Sequence, residues 1–145
     1  MNEASPAREG IMPGILVAED NPSVRKVMRA QLTARNLPVC GEAEDGEEAV
    51  SMARELKPDV ILLDLAMPKM NGLEAASILK EEMPAARTVL FTMYTEAVSI
   101  AFRSKLTLFD AVIAKSEGID KLAKCVRKLL DGSSKPLLTP RHSAC

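Results

Sequence analysis

Asp59-Val60-Ile61-Leu62-Leu63-Asp64-Leu65-Ala66-Met67-Pro68 is the stretch on which the fold turns. Four apolar residues, the first two β-branched, stand between acids and run into a proline turn. Such a run is too short for a helix face. Having no polar alternation, it suits a strand covered on both sides. Similar short runs recur outward from it at Ile15–Ala18, Val39–Ala43, Thr88–Phe91 and Ala111–Ala114. Between them the spacing turns helical: Val24, Val27, Met28 and Leu32; then Ala49, Val50, Ala53 and Leu56. Ile119, Leu122, Ala123, Val126, Leu129 and Leu130 form the clearest stripe.

The punctuation agrees. Asn21-Pro22 pairs an N-cap residue with proline at the first helical position. Asn71 with Glu74, and Asp45 with Glu48, have capping-box spacing, and Gly132 stops the last helix. Strands alternating with five helices predict a single α/β domain, its parallel sheet covered by helices on both faces. The domain is expected over residues 14–132, with flexible ends at 1–13 and 133–145, the latter marked by Ser133, Ser134 and Pro136.

Composition narrows the function classes. The 145-residue chain is 47% apolar and carries a net charge of −1, so it has no basic footprint for nucleic acid or an anionic membrane. No apolar run approaches the ~20 residues of a membrane span. Residues 1–12 are polar and unlike a secretory leader. Cys40, Cys125 and Cys145 are scattered, and read as reduced thiols of a cytoplasmic protein rather than a disulfide or zinc framework.

Ligands of open parallel sheets bind beyond the carboxyl ends of the strands. Here those ends carry Glu19-Asp20, Asp64, Thr92 and Lys115, whereas the second strand ends in Gly41-Glu42-Ala43, which offers little. Singly, each has an ordinary reading: a helix cap at Asp20 or Asn21, a turn acid at Asp64, a packed β-branched residue at Thr92, a solvated charge at Lys115. Together they are more specific. Three carboxylates at one edge repel, so they raise their pKa values or bind a cation, and oxygen ligands suit Mg²⁺. A hydroxyl and an amine alongside complete a trap for phosphoryl oxygens. The only histidine, His142, lies in the tail.

Five segments resemble the response-regulator receiver family, the CheY-like domains of two-component systems. They are Val17-Ala18-Glu19-Asp20-Asn21, the stretch 59–68, Met70-Asn71-Gly72-Leu73-Glu74, Val89-Leu90-Phe91-Thr92 and Ala114-Lys115-Ser116. The resemblance implies a flavodoxin-like (βα)5 fold with strand order 2-1-3-4-5. It implies Asp64 as phospho-acceptor, fed by a sensor histidine kinase or phosphotransfer protein. It also implies Mg²⁺ held by Glu19, Asp20, Asp64 and the main-chain carbonyl of Ala66, Thr92 as a switch hydroxyl, and Lys115 as the amine that pairs with phosphate. Such a domain switches protein contacts, with an unnamed downstream protein or a second copy as partner, and is not an enzyme with an external product.

The departures are specific. Val112 stands where receivers often carry Tyr or Phe, and Leu106–Ala111 replaces a Gly-rich stretch. Phe109, an odd number of residues from Val112, would face the other side in a regular strand and could substitute only through a bulge or an irregular approach. A weaker response of residues 95–114 to phosphorylation is therefore expected. Ser116 replaces a frequent Pro, and with Met93 and the segment Met70–Ala75 it resembles the NarL/FixJ branch. Leu138-Thr139-Pro140-Arg141 resembles the opening of a LuxR-type DNA-binding domain, so the receiver half of a truncated regulator is one alternative. A pseudo-receiver that binds without phosphorylation is another. A phosphatase is a third, although Ala66 stands where it would need a general acid.

Overall fold

The computed structural model describes residues 14–93 and 108–131. Five parallel strands form one sheet in the order β2-β1-β3-β4-β5: β1 Ile15–Ala18, β2 Val39–Ala43, β3 Val60–Leu63, β4 Arg87–Thr92 and β5 Ala111–Ala114. Four helices are seen among the described residues: α1 Pro22–Ala34, α2 Gly46–Leu56, α3 Gly72–Glu82 and α4 Ile119–Leu130. The fifth expected helix, and the Gly132 stop, lie outside the described residues. No helix among them is long and apolar enough to cross a membrane.

β1 and β3 are buried at every position, which is why they read as unbroken apolar runs. Alternation sends Leu16, Ala18, Ile61, Leu63 and Leu90 to a core under α2 and α3. It sends Ile15, Val17, Val60, Leu62, Val89, Phe91 and Ile113 to a second core under α1 and α4. The caps form as the sequence predicts. Asn21 Oδ1 accepts from the Ser23 and Val24 amides, and Asn71 with Glu74 closes a reciprocal capping box. Asp45 accepts from the Glu48 amide, but the Glu48 carboxylate accepts from Glu44 instead of closing the box on Asp45.

Two expectations, on Val27 and Cys125, need correction, and at Phe109 the irregular approach is the one realised. Val27 is exposed, because Met28 and Leu32, one turn apart, set the inner stripe of α1 and Val27 lies about 100° away from it. Phe109 joins Val112 in the same core. It precedes β5 across a bend at Asp110, so strand alternation does not govern it. Cys125 is disulfide-bonded rather than a reduced thiol, a pairing that scattered spacing does not reveal.

The entry to β5 is stapled to β4. The Asp110 amide donates to the Thr88 carbonyl at 2.8 Å, while Asp110 Oδ2 accepts from the Thr88 amide at 2.8 Å. Thr88 Oγ1 donates to the Leu108 carbonyl at 2.9 Å.

Candidate functional site

The register brings the strand ends level. Ala18 pairs with Leu63, so Glu19 and Asp64 are the next residues of adjacent strands, and the Asp64 amide donates to the Ala18 carbonyl at 3.2 Å. Thr92 pairs with Ala114, one residue before Lys115. Counting by twos, Glu19 follows Val17, Asp64 follows Leu62 and Lys115 follows Ile113, all residues of the core under α1 and α4. That shared parity points three charged side chains the same way. Thr92, buried, follows Leu90 instead.

Lys115 leaves β5 in a 3-10 turn, Lys115–Glu117, and crosses the edge. Its Nζ lies 2.6 Å from Glu19 Oε1 and 3.3 Å from Asp64 Oδ2. Glu19 Oε2 accepts from the Asn21 amide at 3.1 Å. Carboxylate oxygens of Glu19, Asp20 and Asp64 all lie within 4.8 Å of one another. Burial pushes the Glu19 carboxyl above its ordinary range, against its hydrogen bonds from Lys115 and the Asn21 amide, and the Asp64 charge adds to the rise. Burial opposes the Lys115 ammonium too, but its bond to Glu19 and the charges of Asp64 and Glu19 outweigh this and raise its pKa. The Glu19 rise is chiefly the cost of burying its charge, while the Lys115 rise reflects the two carboxylates beside it.

Asp64 Oδ1 is buried and accepts no hydrogen bond from the protein. A buried carboxylate oxygen without a partner is costly, which suits a site whose last partner is a bound group. Three carboxylates, one of them with an orphan oxygen, fit a hard divalent cation. The loop after Asp64 folds back on it. The Gly72 amide donates to the Leu65 carbonyl at 2.9 Å, and a Cβ on Gly72 would stand 2.4 Å from the Asp64 carbonyl oxygen. Ala66 lies in this loop, exposed.

The structure thus brings Glu19, Asp20, Asp64 and Lys115 together, with Thr92 at the adjacent strand end. Sequence reasoning missed Arg25 and Glu42. Arg25 Nη1 donates to the Glu19 carbonyl at 2.7 Å and its Nε to Glu42 Oε1 at 3.2 Å. The dismissed end of the second strand therefore reaches the site through a helix residue. The signal available was an Arg within the first helical turn after the acids and an acid on the neighbouring strand.

Comparison with known proteins agrees with the geometry. Residues 15–127 match the family described as the response regulator receiver domain. The response regulator protein VraR of Staphylococcus epidermidis is 34% identical over 121 residues, 83% of this chain and 57% of that protein. The chain thus spans little more than half the length of the curated relatives it matches. The response regulator TrrA of Thermotoga maritima, solved in complex with Mg²⁺-BeF, superposes with TM-score 0.74 at 30% identity, covering 81% of this chain and 99% of that one. A LuxR-family two-component response regulator from Aurantimonas does so with TM-score 0.74 at 30% identity, covering 82% and 85%. With this fold, a clustered acidic edge and a family match over most of its length, the chain belongs to the response-regulator receivers and is the receiver domain of a two-component response regulator.

Proposed function

We propose that Asp64 accepts a phosphoryl group from a phosphohistidine of a sensor kinase or phosphotransfer protein, and that the phosphorylated domain changes its protein contacts in the cytoplasm. One observation carries this reading: the unpartnered, buried Asp64 Oδ1 inside a three-carboxylate cluster beside Lys115. A carboxylate oxygen of Asp64 attacks phosphorus; the P–O bond forms as the P–N bond breaks, and the ring, already protonated on its other nitrogen, takes the bonding pair and leaves as neutral imidazole. Glu19, Asp20, Asp64 and the Ala66 carbonyl would hold Mg²⁺, which when bound neutralises phosphoryl oxygens. Lys115 exchanges its carboxylate partners for a phosphoryl oxygen. Thr92 supplies a hydroxyl from the neighbouring strand end.

The test is incubation with a small acyl-phosphate donor. One phosphoryl mass should be gained, blocked by EDTA and by Asp64→Asn; labelling that survives Asp64→Asn removes the assignment. Lys115→Ala should still be labelled but lose the downstream response, and Thr92→Ala should weaken that response less. Wild-type spectral shifts in both variants on adding a phosphate mimic would exclude the switch roles.

A second reading takes the domain as the receiver half of a LuxR-type DNA-binding regulator, with residues 133–145 as linker. Two facts favour it: the relatives' greater length and the LuxR-family membership of a solved neighbour. A LuxR-type reading frame continuing from residue 145 would establish it, and its absence from the gene would leave a stand-alone receiver.

A further inference from the structure

Consecutive residues of an extended strand present their side chains to opposite faces. Glu19 and Asp20 nevertheless both bring an oxygen within 4.8 Å of Asp64. The backbone must therefore turn at the peptide joining them, where the ladders of β1 end at Ala18. Three bonds hold that turn. The Glu19 amide donates to the Ala43 carbonyl at 3.0 Å, the Asn21 amide to Glu19 Oε2 at 3.1 Å, and Arg25 Nη1 to the Glu19 carbonyl at 2.7 Å. Arg25 is mostly buried and is held in turn: Glu42 accepts its Nε at 3.2 Å and Arg29 Nη1 at 2.6 Å.

We infer that Arg25 is a positioning residue for the acidic cluster: its guanidinium, aligned by Glu42, fixes the plane of the Glu19–Asp20 peptide and hence the direction of both carboxylates. The inference rests on reading that cluster as the Mg²⁺ site. Arg25 acts only through the main chain. The rigid fork of a guanidinium uses one N–H for the aligning acid and another for the carbonyl. The ammonium of Lys carries no such planar fork. Partners standing behind metal ligands typically tune affinity by ~10–100-fold.

Mg²⁺ titration of the full chain by calorimetry tests this with wild type, Arg25→Gln, Arg25→Lys, Glu42→Gln and Arg54→Gln. Arg25→Gln should weaken Mg²⁺ binding about tenfold, with Glu42→Gln and Arg25→Lys falling between it and wild type. Arg54→Gln, which removes a two-bond ion pair to Glu82 on the outer faces of α2 and α3, should bind as wild type does. With an acyl-phosphate donor, Arg25→Gln should need more Mg²⁺ yet approach the wild-type rate at saturation, a split that simple loss of folded protein would not produce. Thermal melts report folding, and Glu42→Gln carries the test if Arg25→Gln does not fold. Wild-type affinity in both Arg25→Gln and Glu42→Gln would overturn the inference while leaving the Mg²⁺ reading intact. A wild-type chain that binds no Mg²⁺ would overturn both.

Discussion

Replacing Asp64 by Asn should stabilise the metal-free domain while abolishing its chemistry. The side chain is largely buried, with carboxylate oxygens of Glu19 and Asp20 within 4.8 Å and Lys115 Nζ at 3.3 Å. Neutralising it removes two repulsions and one attraction. Each repulsion is worth ~1 kcal/mol if water screens it fully and ~3.5 kcal/mol at the effective dielectric of a protein edge, against ~1 to ~5 kcal/mol for the attraction. The repulsions win by roughly 0.5–2 kcal/mol, a rise of about 2–6 °C in Tm for a domain of this size. Linkage gives a second signature. Burial first, and the Asp64 charge as well, raise the folded-state pKa of Glu19. The native state therefore binds more protons than the unfolded chain in the window above the unfolded pKa of Glu, and stability falls as pH rises through it. Asp64→Asn removes the Asp64 share of that rise and flattens the fall. Differential scanning calorimetry in EDTA from pH 4 to 8 measures both, and added Mg²⁺ should raise Tm in wild type more than in the variant. An Asp64→Asn protein less stable than wild type in EDTA would refute the repulsion argument.

Gly46→Ala should destabilise by at least ~2 kcal/mol despite the helix propensity of Ala, because its Cβ would meet the Met70 carbonyl oxygen 2.0 Å away and force α2 from the loop after Asp64. Urea unfolding checks it; a neutral result would mean the loop yields freely. Lys57 ends α2 in the left-handed region with φ 49°, so Lys57→Gly should gain about 1 kcal/mol at that cap. A loss in thermal melts would show that the Lys57 side chain outweighs its backbone strain. The hydrogen bond from Arg29, with help from Arg25, holds the Glu42 carboxyl below its ordinary range. The stability it contributes is therefore present above the unfolded pKa of Glu and lost as pH falls through the lower folded one. Glu42→Gln should cost under ~1 kcal/mol at pH 7, since the group is partly exposed, and that difference should vanish as pH falls through the lowered folded pKa. A pH-independent difference would place its effect in packing.

The strands were legible because both faces of the sheet are covered, which makes each central strand an unbroken apolar run. The caps at Asn21 and Asn71 were legible because capping chemistry is local. The acids, Thr92 and Lys115 could be placed because a parallel sheet delivers all strand ends to one edge. What escaped needed more than local sequence. Val27 matches a helical period, but only the positions of Met28 and Leu32 against the sheet decide which stripe is inner. Glu42 looked inert when judged by what its own carboxylate could bind. Its part is to align Arg25, which holds a main-chain carbonyl that no side-chain inventory contains. Phe109 could share a face with Val112 only through an irregular approach, and the bend at Asp110 that supplies one carries no signal in strand parity.

The staple between Asp110 and Thr88 lies at the end of the sheet away from the site. A one-residue slip of β5 would exchange the faces of Val112 and Ile113 and carry Lys115 about 3.3 Å along the edge, out of reach of Glu19 and Asp64. Both bonds between Asp110 and Thr88, one from the Asp110 amide and one to its carboxylate, would have to break first. The distance between the ammonium and the Asp64 carboxylate is thus indexed from the opposite rim. An aspartate with no part in the chemistry acts as its ruler.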